Sequence, residues 1–162
     1  MCEYCGCQSL ASIDELTREH DEVVRLISHL RPAHEAGDVV RMAQAAREIA
    51  AVLGPHTRVE EGGLFPAMAE DFPDQIAVLE AEHRQVDAVL EQAADGAVPG
   101  DPAWPDRLMA AMELLRDHIL KEQDGVFPAA LAVLSTEQWA VVDAVREEVG
   151  GTLPRPAAVA ET

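Results

Sequence analysis

Aromatic residues are scarce in this 162-residue chain: Trp, Tyr and Phe make up 4% of it, with a single Tyr. Strand-like alternation is scarce too, which argues against an all-β sandwich or barrel. Basic residues are also few. Lys and Arg number 12 against 30 Asp and Glu, a formal charge of −18 with His neutral. A surface of that sign repels phosphate backbones and anionic lipid, so no nucleic-acid partner and no membrane partner is expected. No apolar run reaches the roughly 18 residues of a membrane span. The N-terminus, MCEYCGCQSL, lacks the basic and apolar regions of a secretory signal, so a cytoplasmic location is the expectation. Cysteine is absent beyond residue 7. Cys2, Cys5 and Cys7 are an odd set that builds no paired disulfide framework, which suggests thiols or metal ligands instead. Gly-rich phosphate loops and Ser-His-Asp-type nucleophile signatures are missing as well.

What fills the chain is Ala, Leu, Glu, Arg and Gln in helical periodicity. The first helix is expected to open at Ser12, in a capping box with Glu15, and to reach about Leu30 before Pro32. A second, capped by Asp38, is expected to end at Gly62-Gly63, with a kink at Gly54-Pro55. A third starts near Pro73 and lasts to about Ala94, and a fourth runs from about Pro105 to Gln123. Ser135 and Gln138 form another capping box that opens a short helix ending near Val149. Short connections between helices of similar length favour an all-α, up-down-up-down antiparallel four-helix bundle with a short C-terminal helix. On this reading residues 1–11 are a Cys-rich arm, 12–149 the bundle and its terminal helix, and 150–162 a disordered tail.

The chain also repeats itself. His56 to Ala67 reads HTRVEEGGLFPA and His118 to Ala129 reads HILKEQDGVFPA, and a Glu-His pair precedes each: Glu19-His20 and Glu82-His83. Positions i and i+4 share a helix face, so His56 with Glu60, and His118 with Glu122, aim at common points. Each pair continues an apolar stripe and so points into the core, where an unpartnered charge is expensive. Two imidazoles and one carboxylate leave a first-row metal under-coordinated, but two copies together could hold two metals. In antiparallel packing all six residues meet at one end of the bundle. His29 and His34 have no counterpart in the second copy and are expected on the surface, as is Glu61, on the wrong side of Glu60. Phe65 and Phe127, of the Phe-Pro-Ala elements, are expected to fold back as apolar plugs over the site.

The order His, His-x-x-x-Glu, His, His-x-x-x-Glu, with Phe-Pro after each Glu, resembles the hemerythrin HHE cation-binding family from Ser12 to about Val149. The resemblance implies a non-haem di-iron centre under an oxo or hydroxo bridge, with His20, His56, Glu60, His83, His118 and Glu122 as ligands. Oxygen-carrying hemerythrins have a further His one turn after the third-helix ligand, where this chain has Asp87. They also use a longer His-to-carboxylate spacing on the last helix. A carboxylate at Asp87, one turn from His83, could ligate iron or orient a water.

Four imidazoles, two bridging carboxylates and one oxygen bridge fill about ten of about twelve octahedral positions, leaving roughly two open. Imidazole-rich ligation favours iron over magnesium or calcium, with zinc or manganese as alternatives. The expectation is therefore a protein that binds or senses O2, NO or peroxide at di-iron. Reactive-gas or peroxide handling is favoured over reversible O2 storage, because a carboxylate at Asp87 would alter charge and redox potential. An alternative is an enzyme that decomposes peroxide, in the manner of a catalase or peroxidase, or a repair protein that donates iron. In that reading Cys2, Cys5 and Cys7, with Tyr4 between them, come near the metals as redox or accessory ligands. A helical interaction module with incidental histidines would leave several buried charges unpaired.

Overall fold

The computed structural model describes residues 7–151 and 153. Cys2, Tyr4, Cys5 and all but three residues of the expected tail (Gly150, Gly151 and Leu153) lie outside the described residues. Within them the chain is helical, in the order α1 (Cys7–Ile27), α2 (Leu30–Glu35), α3 (Val39–Val59), α4 (Phe65–Met68), α5 (Pro73–Leu90), α6 (Trp104–Lys121), α7 (Phe127–Val133) and α8 (Thr136–Val149). The long helices α1, α3, α5 and α6 form the four-helix bundle, and α8 packs along α1 and α3. Among the described residues no helix is long and apolar enough to cross a membrane.

Several boundaries follow local chemistry. The Asp38 side chain accepts from the Arg41 amide at 3.1 Å and opens α3. Pro73, whose ring fixes a helical φ and whose missing N–H is not needed there, is the first residue of α5. Ser135 and Gln138 exchange capping bonds at the start of α8.

Other boundaries differ from expectation. Helix α1 begins at Cys7 and not at Ser12, so part of the expected arm is helix. The Ser12 hydroxyl lies 3.3 Å from Asp143 of α8, and Gln8 donates to the same carboxylate at 2.7 Å. Contacts with a distant helix thus outweigh the local capping option. The first helix also stops at Ile27, and Pro32 sits in the first turn of the separate α2, where its absent N–H costs nothing.

The largest difference is at Gly62-Gly63, which do not end the helix. Residues Glu60–Leu64 continue it as a wider π turn, and Glu122–Val126 do the same in the second copy. The amide of Phe65 bonds the carbonyl of Glu60, and that of Phe127 the carbonyl of Glu122, five residues back in each case. Pro66 and Pro128 supply the cause. A proline lacks the N–H for an α-type bond and crowds the carbonyl four residues before it, so the preceding turn opens to i→i+5. In the first copy the glycines serve close packing: a Cβ on Gly63 would lie 2.9 Å from the Val142 Cα of α8. Gly125, at the matching position in the second copy, has nothing within 4 Å of such a Cβ.

Two apolar clusters make the core. One joins Val23, Leu26, Ile49, Leu53, Val86, Leu90, Trp104, Leu108, Met112 and Leu115, among others. The other joins Leu16, Val59, Leu64, Phe65, Leu79, Phe127, Trp139 and Val142 with their neighbours. His20 falls between Leu16 and Val23 of α1, His56 between Leu53 and Val59 of α3, and His83 between Leu79 and Val86 of α5. The polar ring is thus a layer between two apolar clusters rather than the open end of a bundle. The π turns, α4, α7 and α8 close over the side where Phe65 and Phe127 were expected as plugs.

Candidate metal centre

The four imidazoles and two carboxylates expected to converge do so. Glu60 and Glu122 have no exposed surface; His20 and His56 are 1% exposed, His118 2% and His83 6%. They form two four-donor groups, His20 with His56 and His83 with His118, and Glu60 and Glu122 belong to both. Each His-x-x-x-Glu pair closes on itself across one turn, at 2.9 Å from His56 Nε2 to Glu60 and 2.8 Å from His118 Nε2 to Glu122. The crossing distances are 2.9 Å from His20 Nε2 to Glu122 and 3.2 Å from His83 Nε2 to Glu60.

These short separations are not hydrogen bonds. The Nε2 atoms of His20 and His118 and all four oxygens of Glu60 and Glu122 are buried with no hydrogen-bond partner among the described residues. Leaving such groups bare costs about 1–3 kcal/mol each, and more for charged groups. Octahedral donors about 2.1 Å from a common ion stand about 3.0 Å apart along each edge, which the observed spacings match. Orphaned donors, spacing and ligand chemistry all fit a pair of metal ions shared by the two carboxylates.

The outward nitrogens are all held. Nδ1 of His56 faces Glu19 at 3.3 Å, that of His118 faces Glu82 at 2.8 Å, that of His83 faces Glu61 at 2.9 Å, and that of His20 faces the Gln123 side-chain oxygen at 3.1 Å. An oxygen acceptor there makes Nδ1 the N–H donor and turns the Nε2 lone pair inward, the tautomer a metal needs. Arg146 of α8 binds Glu19 through both terminal nitrogens, and Lys121 of α6 binds Glu82. The ring of Phe127 stacks on His20 (centroids 5.4 Å, planes 8° apart) and that of Phe65 on His83 (5.6 Å, 12°). Each Phe therefore fixes an imidazole of the opposite repeat.

The electrostatics agree. Burial opposes a charge on His56, but Glu60, Glu19 and Glu122 outweigh it and push its pKa up to about 10. His83 is also buried, and Glu60 with Glu61 pushes it up to about 9. Burial works against the Glu60 carboxylate too, yet His56 and His83 hold it well below the usual range. The two carboxylates thus draw positive charge into the ring, a charge that bound metal ions would supply.

Some expected members stay outside. Asp87 is exposed and belongs to neither donor group; burial among its neighbours raises its pKa, and it lines a cavity of ≈ 430 Å³ with Arg47, Gly54 and Glu91. Cys7 is exposed at the first residue of α1. His20 lies thirteen positions further along the helix, about 20 Å at 1.5 Å per residue, so the Cys7 thiol does not reach its ring. His29 is exposed, and the partly exposed His34 meets Asp106 at 2.7 Å. Glu61 corrects its expectation: its side chain is 40% exposed, but it is a partner of His83. The wide turn that starts at Glu60 lets adjacent glutamates serve the interior and a neighbouring helix at once. The sequence signal for the outer ring was the recurrence of Glu19 and Glu82 before the histidines, together with the residues that follow Glu60 and Glu122.

Comparison with known proteins agrees in kind. The profile described as hemerythrin HHE cation binding domain matches residues 11–130. A DNA nickase from Nostoc sp. (strain PCC 7120 / SAG 25.82 / UTEX 2576) is 26% identical over 131 residues, which cover 78% of this chain and 36% of that protein. The chain thus spans about a third of the length of that curated relative. No solved structure matches.

Proposed function

The chain belongs to the hemerythrin HHE cation-binding family, and on that footing we propose that it is a non-haem di-iron protein that binds or senses O2, NO or peroxide. The observation that carries this reading is the pair of four-donor groups sharing Glu60 and Glu122. Four donors of about six octahedral positions leave each ion room for a small ligand. When bound, iron would supply reversible electron exchange and open positions to a diatomic or a peroxide.

The protein's own part is positional. Glu60 and Glu122 each turn one oxygen toward each donor group, so each carboxylate would help to hold both ions. Glu19, Glu61, Glu82 and Gln123 hold the four rings in one tautomer, so little rearrangement accompanies a change of metal charge. Phe65, Phe127 and the two apolar clusters exclude water and bulky solutes, which selects small uncharged ligands. Proton movement, where the chemistry needs it, has Nδ1–H to carboxylate pairs at His56, His83 and His118.

The DNA nickase activity belongs to the Nostoc protein. A charge of −18 opposes a polyphosphate partner, so we propose no nucleic-acid role for this chain. A cytoplasmic location suits an odd count of three cysteines. Peroxide decomposition or iron donation through the Cys arm is the second reading, and the distance of Cys7 from His20 weighs against it. Rapid mixing of the iron-loaded, reduced protein with O2, NO and hydrogen peroxide tests the proposal. A change in the visible spectrum with at least one of them is expected, and silence toward all three rejects it. Replacing Cys2, Cys5 and Cys7 by Ser should leave that response intact; its loss would favour the second reading.

A further inference from the structure

The two halves of the site match in their inward donors but not in what backs them. On the His83/His118 side both imidazoles rest on carboxylates, Glu61 at 2.9 Å and Glu82 at 2.8 Å. Across the pseudo-symmetric ring, Glu61 corresponds to Gln123, one residue after the shared glutamate in each copy. His20 is therefore backed by a neutral amide, at 3.1 Å. The remaining partner on that side, Glu19, stands 3.3 Å from His56 and is drawn off by a buried Arg146, which binds it through both terminal nitrogens and also meets Glu15. Besides His118, its counterpart Glu82 meets Lys121, whose side chain is 49% exposed and hence screened by water.

A carboxylate on the far nitrogen makes an imidazole a stronger metal donor, and loss of such a partner commonly costs about 10–100-fold in metal affinity. We propose that the two metal positions are inequivalent, with the His83/His118 position binding first and more tightly, and that Glu61 is the positioning residue that sets this order. The inference rests on the two-metal reading of the site. It is a property of this chain's outer ring, since the inner donors of the two positions are of the same kind.

The test is an anaerobic titration of the metal-free protein with cobalt(II) chloride, followed by visible absorption and by the imidazole N–H resonances of the four histidines. Wild type should take up about two cobalt ions per chain in two steps about 10–100-fold apart. The first equivalent should shift the His83 and His118 signals. Glu61→Gln should weaken that first step by a similar factor, so that the two steps merge, and Gln123→Glu should tighten the second. Both substitutions are near-isosteric and lie at positions that retain solvent contact, so the fold is expected to survive; far-ultraviolet circular dichroism checks it. A first equivalent that goes to His20 and His56 or divides evenly, or an order that Glu61→Gln leaves unmoved, overturns the inference while two ions still bind. Uptake of fewer than two ions instead removes the two-metal reading itself.

Discussion

Substituting Ala for glycine should have opposite effects at Gly63 and Gly125, although the two occupy matching places in the repeat. A Cβ on Gly63 would meet the Val142 Cα at 2.9 Å. Carbon pairs rest at about 3.5–4.0 Å, so α8 has to retreat by roughly 1 Å along that contact. The obstacle is backbone, which no rotamer change relieves. Overpacking of this kind costs about 1–3 kcal/mol. At Gly125 no atom lies within 4 Å of the added carbon and φ is negative, so Gly125→Ala should gain up to about 1 kcal/mol of helix propensity. For a chain of this size about 1 kcal/mol moves Tm by roughly 2–4 °C. Thermal unfolding followed by circular dichroism should therefore show Gly63→Ala melting roughly 2–12 °C below wild type, and Gly125→Ala level with it or slightly above. The displacement should also loosen Arg146 from Glu19 and so weaken metal binding at His56. Equal tolerance at both positions would refute the reading of the glycine pair as the seat of α8.

Other consequences are as direct. Glu60→Gln should cost both metal ions, because Glu60 serves both donor groups, whereas His20→Ala should leave one; elemental analysis per chain separates these outcomes. The raised pKa values of His56, about 10, and His83, about 9, contribute stability to the metal-free protein that is complete below the unfolded value near 6.5 and is lost as pH rises through 9–10. Metal-free protein should therefore weaken toward denaturant between about pH 6.5 and 10, while the loaded protein should shed metal as pH falls, because protons compete for the same nitrogens. A metal-free stability that stays flat across that range would contradict the assignment. Phe127→Ala, which strips the cover from His20, should speed autoxidation of the reduced iron-loaded protein, and an unchanged rate would leave Phe127 as packing alone.

The inner ring was legible in the sequence because its signal is doubled: His56 with Glu60 and His118 with Glu122 repeat at one interval, and helical spacing alone puts each pair on one face. The bundle was legible for the same reason, in the apolar stripes beside those residues. The π turns were not. Gly62-Gly63 reads as a stop by local rules, but Pro66 four residues on favours a widened turn, and the packing of Val142 against Gly63 keeps it in place. That missed turn hid the role of Glu61, since an ordinary helix would carry it away from His83. The cover that α4, α7 and α8 lay over the ends of α3 and α6 was not legible either. Helix α1 began early because Gln8 and Ser12 find Asp143, a partner more than 130 positions away that no local pattern announces. Arg146 escaped for the same reason.

The most direct test of a site for two shared metals is crystallographic anomalous scattering at the iron edge from iron-loaded protein. The account predicts two peaks in the polar layer, one against Nε2 of His20 and His56 and the other against Nε2 of His83 and His118, with Glu60 and Glu122 reaching both. A single peak, or none in that layer, would contradict it.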